Sequence, residues 1–181
     1  MKRITLLLTT LTVILCTLLC SSITFAQEKP PIWEVYFSPN GGCTDAIIRE
    51  LNKAKTSILV QAYLFSSEPI GKALLDAHKR GIKVEVILDK SQKTEKYSVA
   101  DFFANSGIPT KIDSPHNIAH NKVIIIDDET VITGSFDFTK SAEEKNAENL
   151  LVIRDRKLAE RYTKNWQEHE KHSEAYGGRA R

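Results

Sequence analysis

Apolar and polar residues follow two different periods along this chain, and together they predict alternating strands and helices. Ile32–Phe37 is rich in aromatic and β-branched residues, and Lys83–Leu88 alternates residue by residue, as strands do. Ser57–Phe65 is a mostly apolar run, typical of a strand that is buried on both faces. Three further strands are predicted at Lys122–Ile126, Thr130–Thr133 and Asn149–Arg154.

Helices are predicted where apolar residues recur every three or four positions between these strands. One covers Thr44–Lys55, and a second begins after Ser67 as its N-cap and ends before Gly81. A short helix follows at Ser98–Asn105, and the last one covers Arg156–His172. The order is therefore a β-α-β-α-β start followed by a hairpin and a closing helix.

This order of elements predicts an α/β fold. Strands that are joined by helical crossovers run parallel in one sheet and place the helices against its faces. We expect one mixed, mostly parallel β-sheet flanked by helices on both faces. The chain has 181 residues, 41% of them hydrophobic, which suits a single domain at residues 27–181.

The first 26 residues are typical of a secretion signal. Lys2 and Arg3 precede an uncharged apolar run that begins at Ile4 and ends with the small residue Ala26. This pattern predicts that residues 1–26 are a signal peptide and that the mature protein is secreted or periplasmic. The alternative is an uncleaved membrane anchor, because the run is long enough to span a bilayer.

The charge balance excludes a bulk electrostatic attraction to nucleic acid or to anionic lipid. Without Lys2 and Arg3, two of the 25 basic residues, 23 basic residues remain against 23 acidic ones. The formal charge of the mature chain is then zero. Any affinity for phosphate must therefore come from a local cluster of residues.

Three residues that could carry chemistry or base stacking are more simply explained as core. Cys43 is the single cysteine outside the signal segment, so it has no partner for an internal disulfide, and no base is predicted beside it. Tyr63 and Phe65 end an apolar strand. We expect all three side chains to be buried.

One stretch of the sequence brings catalytic residue types together. His120 and Lys122 lie two residues apart on a predicted strand, so their side chains point to the same face. An imidazole beside a fixed ammonium suits a substrate that carries negative charge. The predicted hairpin returns Gly134 and Ser135 to the same place, which adds a hydroxyl group. Asp127 has the opposite parity and ends the strand, which indicates a structural role.

The spacing of these residues resembles the signature of the phospholipase D superfamily. The string is His-x-Lys, four residues, Asp, six residues, Gly-Ser, and every spacing matches. Gly134–Lys140, Lys145–Asn149 and Lys79–Gly81 are similar to segments of the small secreted bacterial nucleases of that superfamily that carry one signature. The resemblance covers roughly Val35 to Trp166. It implies a phospholipase D-like fold and a phosphodiesterase that needs no metal and no cofactor.

The resemblance also implies a role for each residue. His120 would attack phosphorus and form a phosphohistidine, while Lys122 and Ser135 would hold the phosphate oxygens. Glu148 would accept a hydrogen bond from a histidine ring nitrogen. The signature counts Asp127 with this catalytic set, although its parity on the strand indicates a structural role.

One position departs from the pattern of the superfamily. The residue two positions after Ser135 is usually Asn, whose amide can donate to phosphate, and here it is Asp137. Asp137 thus takes a phosphate-binding position, but its ionised carboxylate would repel phosphate unless the side chain is turned away or protonated. The other possibility is that Asp137 alters the activity of this chain relative to the superfamily.

The chain carries one signature and no internal repeat, whereas superfamily members with two signatures supply a second histidine. A symmetric homodimer that pairs His120 of both copies is the economical solution. The predicted substrate is DNA, with RNA as a further candidate. The alternatives are a phospholipase D that acts on phospholipid headgroup esters and a non-catalytic nucleic-acid-binding module. The polar predicted loops at Asp89–Lys96 and Ser141–Asn146 favour the nuclease over the lipase.

A metal site is not predicted. His116 and His120 are four residues apart, but a proline and a following strand argue against the helix that such a metal pair needs. No nearby carboxylate or cysteine in the sequence completes a ligand set. The remaining histidines fall among charged residues of predicted helices and are expected to be solvated: His78, His169 and His172.

Overall fold

A computed structural model describes residues 32–179 of the chain. The predicted signal peptide or anchor, residues 1–26, lies outside these residues. Among the residues that are described, no helix is long and apolar enough to cross a membrane.

The strands are β1 (Ile32–Ser38), β2 (Ser57–Ala62), β3 (Lys83–Asp89), β4 (Thr110–Asp113), β5 (Lys122–Ile126), β6 (Thr130–Gly134), β7 (Glu148–Arg154) and β8 (Glu174–Ala175). The helices are α1 (Cys43–Lys53), α2 (Glu68–Lys79), α3 (Ala100–Asn105), α4 (Lys140–Glu144) and α5 (Arg156–His172), with a 3-10 helix at Lys90–Lys93.

The strands form one mixed sheet, as predicted, in the order β1-β7-β6-β5-β2-β3-β4-β8. The expectation of a mostly parallel sheet is wrong. Within residues 32–179, β2–β3 and β3–β4 are the parallel pairs, and the other five neighbouring pairs are antiparallel. The reason is that β1 lies at the far edge against β7, and the β5–β6 hairpin is inserted beside β2. Helical crossovers therefore link parallel neighbours in only part of the sheet.

Helices cover both faces of the sheet, which confirms this part of the fold prediction. On one face, Val60 and Ile124 pack in a single apolar cluster with buried residues of α1 and α2. On the other face, Leu59 and Ile125 pack with Trp166 of α5. The indole Nε1 of Trp166 also donates a hydrogen bond of 3.0 Å to the carbonyl oxygen of Val60, which ties α5 to the central strand.

Two of the three predicted core residues are buried. Cys43 and Phe65 both lie in the core. Burial raises the pKa of the Cys43 thiol to about 11, so at neutral pH it is a protonated thiol and not an activated nucleophile. Tyr63 is only half-buried, because β2 ends at Ala62 and leaves Tyr63 beyond the sheet.

The elements that the sequence analysis missed are short. β4 has four residues and β8 has two, too few to show a period, and both form because they pair at the edge of the sheet. The 3-10 helix lies within the predicted loop at Asp89–Lys96, and α4 overlaps the predicted loop at Ser141–Asn146, beginning one residue before it. Each of these two has a polar N-cap side chain that accepts a backbone hydrogen bond.

Candidate active site

Strand pairing gathers the signature residues at one end of the sheet. β5 begins at Lys122, β6 ends at Gly134 and β7 begins at Glu148. Because β6 is antiparallel to both neighbours, these three strand ends lie side by side. His120 precedes β5 and Ser135 follows β6, so both side chains lie at this end. The register of β6 against β7 places Glu148 at this end of the sheet as well.

Lys122 connects the site, since its ammonium contacts an imidazole and a carboxylate together. The side chain is buried, and its Nζ lies 3.1 Å from Nε2 of His120. It also donates to the carbonyl oxygen of His120 at 3.3 Å. When the ammonium donates to Nε2, this nitrogen carries a lone pair and the ring proton is on Nδ1. His120 is exposed, so a substrate can reach the imidazole and the ammonium that contacts it.

Tyr63 belongs to the site, although the sequence placed it in the core. Its ring centroid lies 4.6 Å from that of His120, and Nζ of Lys122 lies 5.0 Å from the centroid of the tyrosine ring. The backbone N–H of Tyr63 donates to the carbonyl oxygen of Asn121 at 2.8 Å. The pairing of β2 with β5 is the cause, because it places Ala62 opposite Lys122. The aromatic ring thus supports the side chains of His120 and Lys122 from one side.

Ser135 and Glu148 form a second pair in the site. The Ser135 hydroxyl donates a hydrogen bond of 2.6 Å to Oε2 of Glu148 and accepts one of 3.1 Å from the backbone N–H of Asn149. The amide of Asn146 donates to Oε1 of Glu148 at 3.1 Å. In the described part of the chain, the carboxylate of Glu148 is thus engaged by Ser135 and Asn146. Its implied contact with a histidine stays a prediction.

Gly134 allows Ser135 to approach β7. Its φ is 153°, and a Cβ atom at this position would lie 2.1 Å from the carbonyl oxygen of Asn149. No side chain can be accommodated there without moving one of the two strands. The backbone N–H of Ser135 donates to that same oxygen at 3.0 Å. The Gly-Ser pair of the signature therefore has a steric reason.

Asp137 is turned into the site. Its Oδ1 lies 3.1 Å from Nζ of Lys122 and accepts a long hydrogen bond of 3.4 Å from the backbone N–H of Leu64. Of the outcomes left open by the sequence, the structure thus excludes a side chain that points away. The carboxylate of Asp137 is thus paired with the ammonium of Lys122, the group to which the resemblance assigns phosphate binding.

Asp127 lies at the other end of β5 and takes no part in this cluster. Its carboxylate accepts hydrogen bonds from the backbone N–H groups of Lys55, Thr56 and Ser57 at 2.8 to 3.1 Å. Partial burial raises its pKa, but the hydrogen bonds from Ser57 and Thr56 outweigh this and hold the pKa below its ordinary value. The carboxylate fixes the turn before β2, which is the structural role that its parity on the strand indicated.

An imidazole held by a buried ammonium, at the end of a mixed sheet with helices on both faces, defines the class of phospholipase D-like phosphodiesterases. Residues 47–169 match the family described as "Cardiolipin synthase, PLD-like domain". The chain belongs to this family within the phospholipase D superfamily.

Curated relatives carry two kinds of name. Phospholipase D of Rickettsia prowazekii strain Madrid E is 49% identical over 130 residues, which are 72% of this chain and 63% of that protein. The mitochondrial cardiolipin hydrolase of Mus musculus is 31% identical over 126 residues, which are 67% of this chain and 57% of that protein. The chain thus spans less than two thirds of the length of these relatives.

Two solved structures match this chain over nearly their whole length. Nuc from Salmonella typhimurium, a phospholipase D family member, superimposes with a TM-score of 0.78 at 43% identity, over 81% of this chain and 98% of Nuc. NucT from Helicobacter pylori superimposes with a TM-score of 0.73 at 22% identity, over 81% of this chain and 99% of NucT. The second similarity concerns the fold alone.

Proposed function

We propose that this chain is a metal-independent endonuclease that cleaves DNA, with RNA as a further candidate substrate, through a phosphohistidine in a site shared by two copies. The observation that carries the proposal is the contact between Nζ of Lys122 and Nε2 of His120 at 3.1 Å. It places an imidazole nitrogen beside a positive charge at an exposed place, which suits attack on an anionic phosphodiester.

The proposed reaction replaces one displacement at phosphorus with two successive ones. Nε2 of His120 forms a bond to phosphorus while the bond from phosphorus to the leaving oxygen breaks, and that oxygen takes a proton from a second histidine. A water molecule then gives a proton to the second histidine and attacks phosphorus, and the N–P bond breaks. Lys122 offsets the negative charge on the phosphate oxygens. Ser135 donates a hydrogen bond to one of these oxygens once its hydroxyl has turned away from Glu148, to which it donates in the free site. Asp137 must release Lys122 before the phosphate can bind it.

The second histidine is His120 of another copy of this chain. Among the described residues, His120 is the histidine that adjoins Lys122 at this end of the sheet. Apolar side chains that are exposed in the single chain flank the site on two sides. Phe37 is 64% exposed and lies opposite Asn149 in register, and Ile118 is 52% exposed and precedes His120 by two residues. A second copy that completes the site would cover both.

The similarity to Nuc favours nucleic acid as the substrate, since Nuc shares 43% identity over nearly its whole length. The second candidate is a phospholipid headgroup ester, because the Rickettsia and mouse relatives are named for lipid cleavage. Both substrates present the same phosphodiester to His120. We place the activity outside the cytoplasm, in the periplasm or the medium, on the basis of the N-terminal signal pattern.

Plasmid nicking in excess EDTA tests the proposal, with the full chain beside its His120→Ala variant. Nicking that is present in the wild type and absent in the variant supports a metal-independent nuclease with His120 as nucleophile. Vesicles of phosphatidylcholine and of cardiolipin are assayed in parallel. Lipid hydrolysis without nicking would establish the phospholipase alternative, and no cleavage of either substrate, with EDTA or with zinc in its place, would reject the proposed activity.

The shared site has its own test. Wild-type subunits are mixed with His120→Asn subunits that carry a different affinity tag, and the heterodimer is purified through both tags. Since one histidine would then be missing from the site, the heterodimer should lose nearly all nicking activity. A heterodimer with half or more of the wild-type activity would contradict the shared site.

A further inference from the structure

Four side chains of metal-ligating types meet at the same end of the sheet, beyond β2 and β3. They are Asp113, His116, His169 and His172, and one possible ligand atom of each lies within 4.8 Å of those of the other three. Asp113 ends β4 and His116 follows three residues later, whereas His169 and His172 lie three residues apart in the last turn of α5. The sequence analysis predicted no metal site, and it expected His169 to be solvated.

The carboxylate of Asp113 is at the centre of this cluster and is completely buried. Its Oδ1 lies 2.8 Å from Nδ1 of His116, and its Oδ2 lies 2.6 Å from Nδ1 of His169. Nε2 of His172 lies 3.5 Å from Oδ2. The His169 side chain is only 14% exposed, so the expectation that it is solvated is wrong.

The three imidazole rings are also close to one another. Their centroids are 4.8 Å apart for His116 and His169, 5.1 Å for His116 and His172, and 5.3 Å for His169 and His172. Three neutral rings each retain one nitrogen lone pair, since a neutral imidazole has one donor and one acceptor nitrogen.

We propose that Asp113, His116, His169 and His172 bind one divalent transition-metal ion of the zinc type. Three imidazole nitrogens and one carboxylate oxygen form a complete four-coordinate set for zinc, with ligands of the types that it prefers. Calcium and magnesium fit poorly, because both prefer sites made mainly of oxygen. A complete protein ligand set is typical of a structural ion.

The ion would act at a distance from the reacting atoms. It would join the end of α5 to the end of β4 and to the segment that runs from His116 to His120. This segment is also held by the buried carboxylate of Asp89, which accepts a hydrogen bond of 2.8 Å from the backbone N–H of Ala119. The cluster is therefore a positioning site for the segment that carries His120, and its ion takes no part in the proposed phosphohistidine chemistry.

Metal binding by the full chain, stripped of metal and free of affinity tag, tests this inference. Zinc is titrated in competition with a chromophoric chelator, and cobalt is added separately to record its visible absorption. The expected results are one zinc ion per chain, a rise in melting temperature with zinc and the intense cobalt bands of tetrahedral coordination. Weak octahedral bands, or no saturable zinc binding, would overturn the proposal without any variant.

Two variants assign the site. His172→Ala removes the ligand farthest from Asp113, and His78→Ala is the matched control, because His78 also lies in the last turn of a helix but outside the cluster. Zinc affinity should fall at least about tenfold in His172→Ala and stay unchanged in His78→Ala. Equal affinity in both variants would show that zinc binds elsewhere. If His172→Ala does not fold, the cobalt spectrum of the wild type decides.

Discussion

Nζ of Lys122 and Oδ1 of Asp137 form an ion pair of 3.1 Å at the place where a substrate phosphate would bind. The lysine is buried and the aspartate side chain is 19% exposed, so the pair is largely removed from solvent. An anionic substrate must compete with this carboxylate for the ammonium. The free site therefore holds a group of the same charge as its proposed substrate.

Replacement of Asp137 by Asn should increase activity. The amide keeps the shape of the side chain, removes the competing negative charge and gains a donor for phosphate. We expect kcat/KM for an oligonucleotide to rise by about tenfold, which corresponds to about 1.4 kcal/mol. Asp137→Glu keeps the charge and should bring no gain. A fall in kcat/KM for Asp137→Asn would mean that the carboxylate instead holds Lys122 in position.

Tyr63 should contribute through its ring and not through its hydroxyl group. The ring lies against His120 and below the ammonium of Lys122, a cation–π contact of about 0.5–2 kcal/mol. Tyr63→Phe should keep the wild-type kcat/KM, whereas Tyr63→Ala should lose about 2- to 30-fold in kcat/KM. Steady-state kinetics on one oligonucleotide measures both variants. Equal losses in the two would assign the effect to the hydroxyl.

Gly134→Ala should be more harmful than Gly81→Ala. Both glycines have positive φ, 153° and 87°, so both substitutions introduce backbone strain of about 1–3 kcal/mol. A Cβ atom at Gly81 meets no atom within 4 Å, whereas at Gly134 it meets the carbonyl oxygen of Asn149. Urea unfolding should therefore show a larger loss for Gly134→Ala, and similar losses would mean that β6 and β7 adjust to the methyl group.

Asp127 should stabilise the fold at neutral pH but not in acid. Its pKa is lower in the folded chain than its ordinary value of 3.8, so its contribution is complete above that value and is lost as pH falls through the folded pKa. Asp127→Asn should lower the free energy of unfolding by about 1–2 kcal/mol at pH 7.

The stability difference between wild type and Asp127→Asn should then shrink below pH 3.8, as the wild-type carboxyl becomes protonated. Asp128→Asn is the control, since the Asp128 carboxylate is exposed and accepts from the hydroxyl of Thr163. Chemical unfolding across this pH range measures both variants. A difference that stays constant down to low pH would contradict the role of the ionised carboxylate.

The sequence by itself determined the local features of the site. His120 and Lys122 lie on one face because side chains two residues apart on an extended chain do so, and the observed contact confirms it. The helix at Arg156–His172 was predicted with its observed bounds, because it is long enough to show its period. The family followed from spacings within one short segment, and these spacings do not depend on how the sheet is assembled.

Only the tertiary structure decided which residues from distant segments meet. Asp137 reaches Lys122, and Ser135 reaches Glu148, because β6 lies between β5 and β7. His169 reaches Asp113, 56 residues earlier in the chain, because α5 packs across the sheet toward β4. The direction of most strand pairs was likewise set by the place of β1 and of the hairpin. Such contacts depend on strand order and register, which local periodicity does not encode.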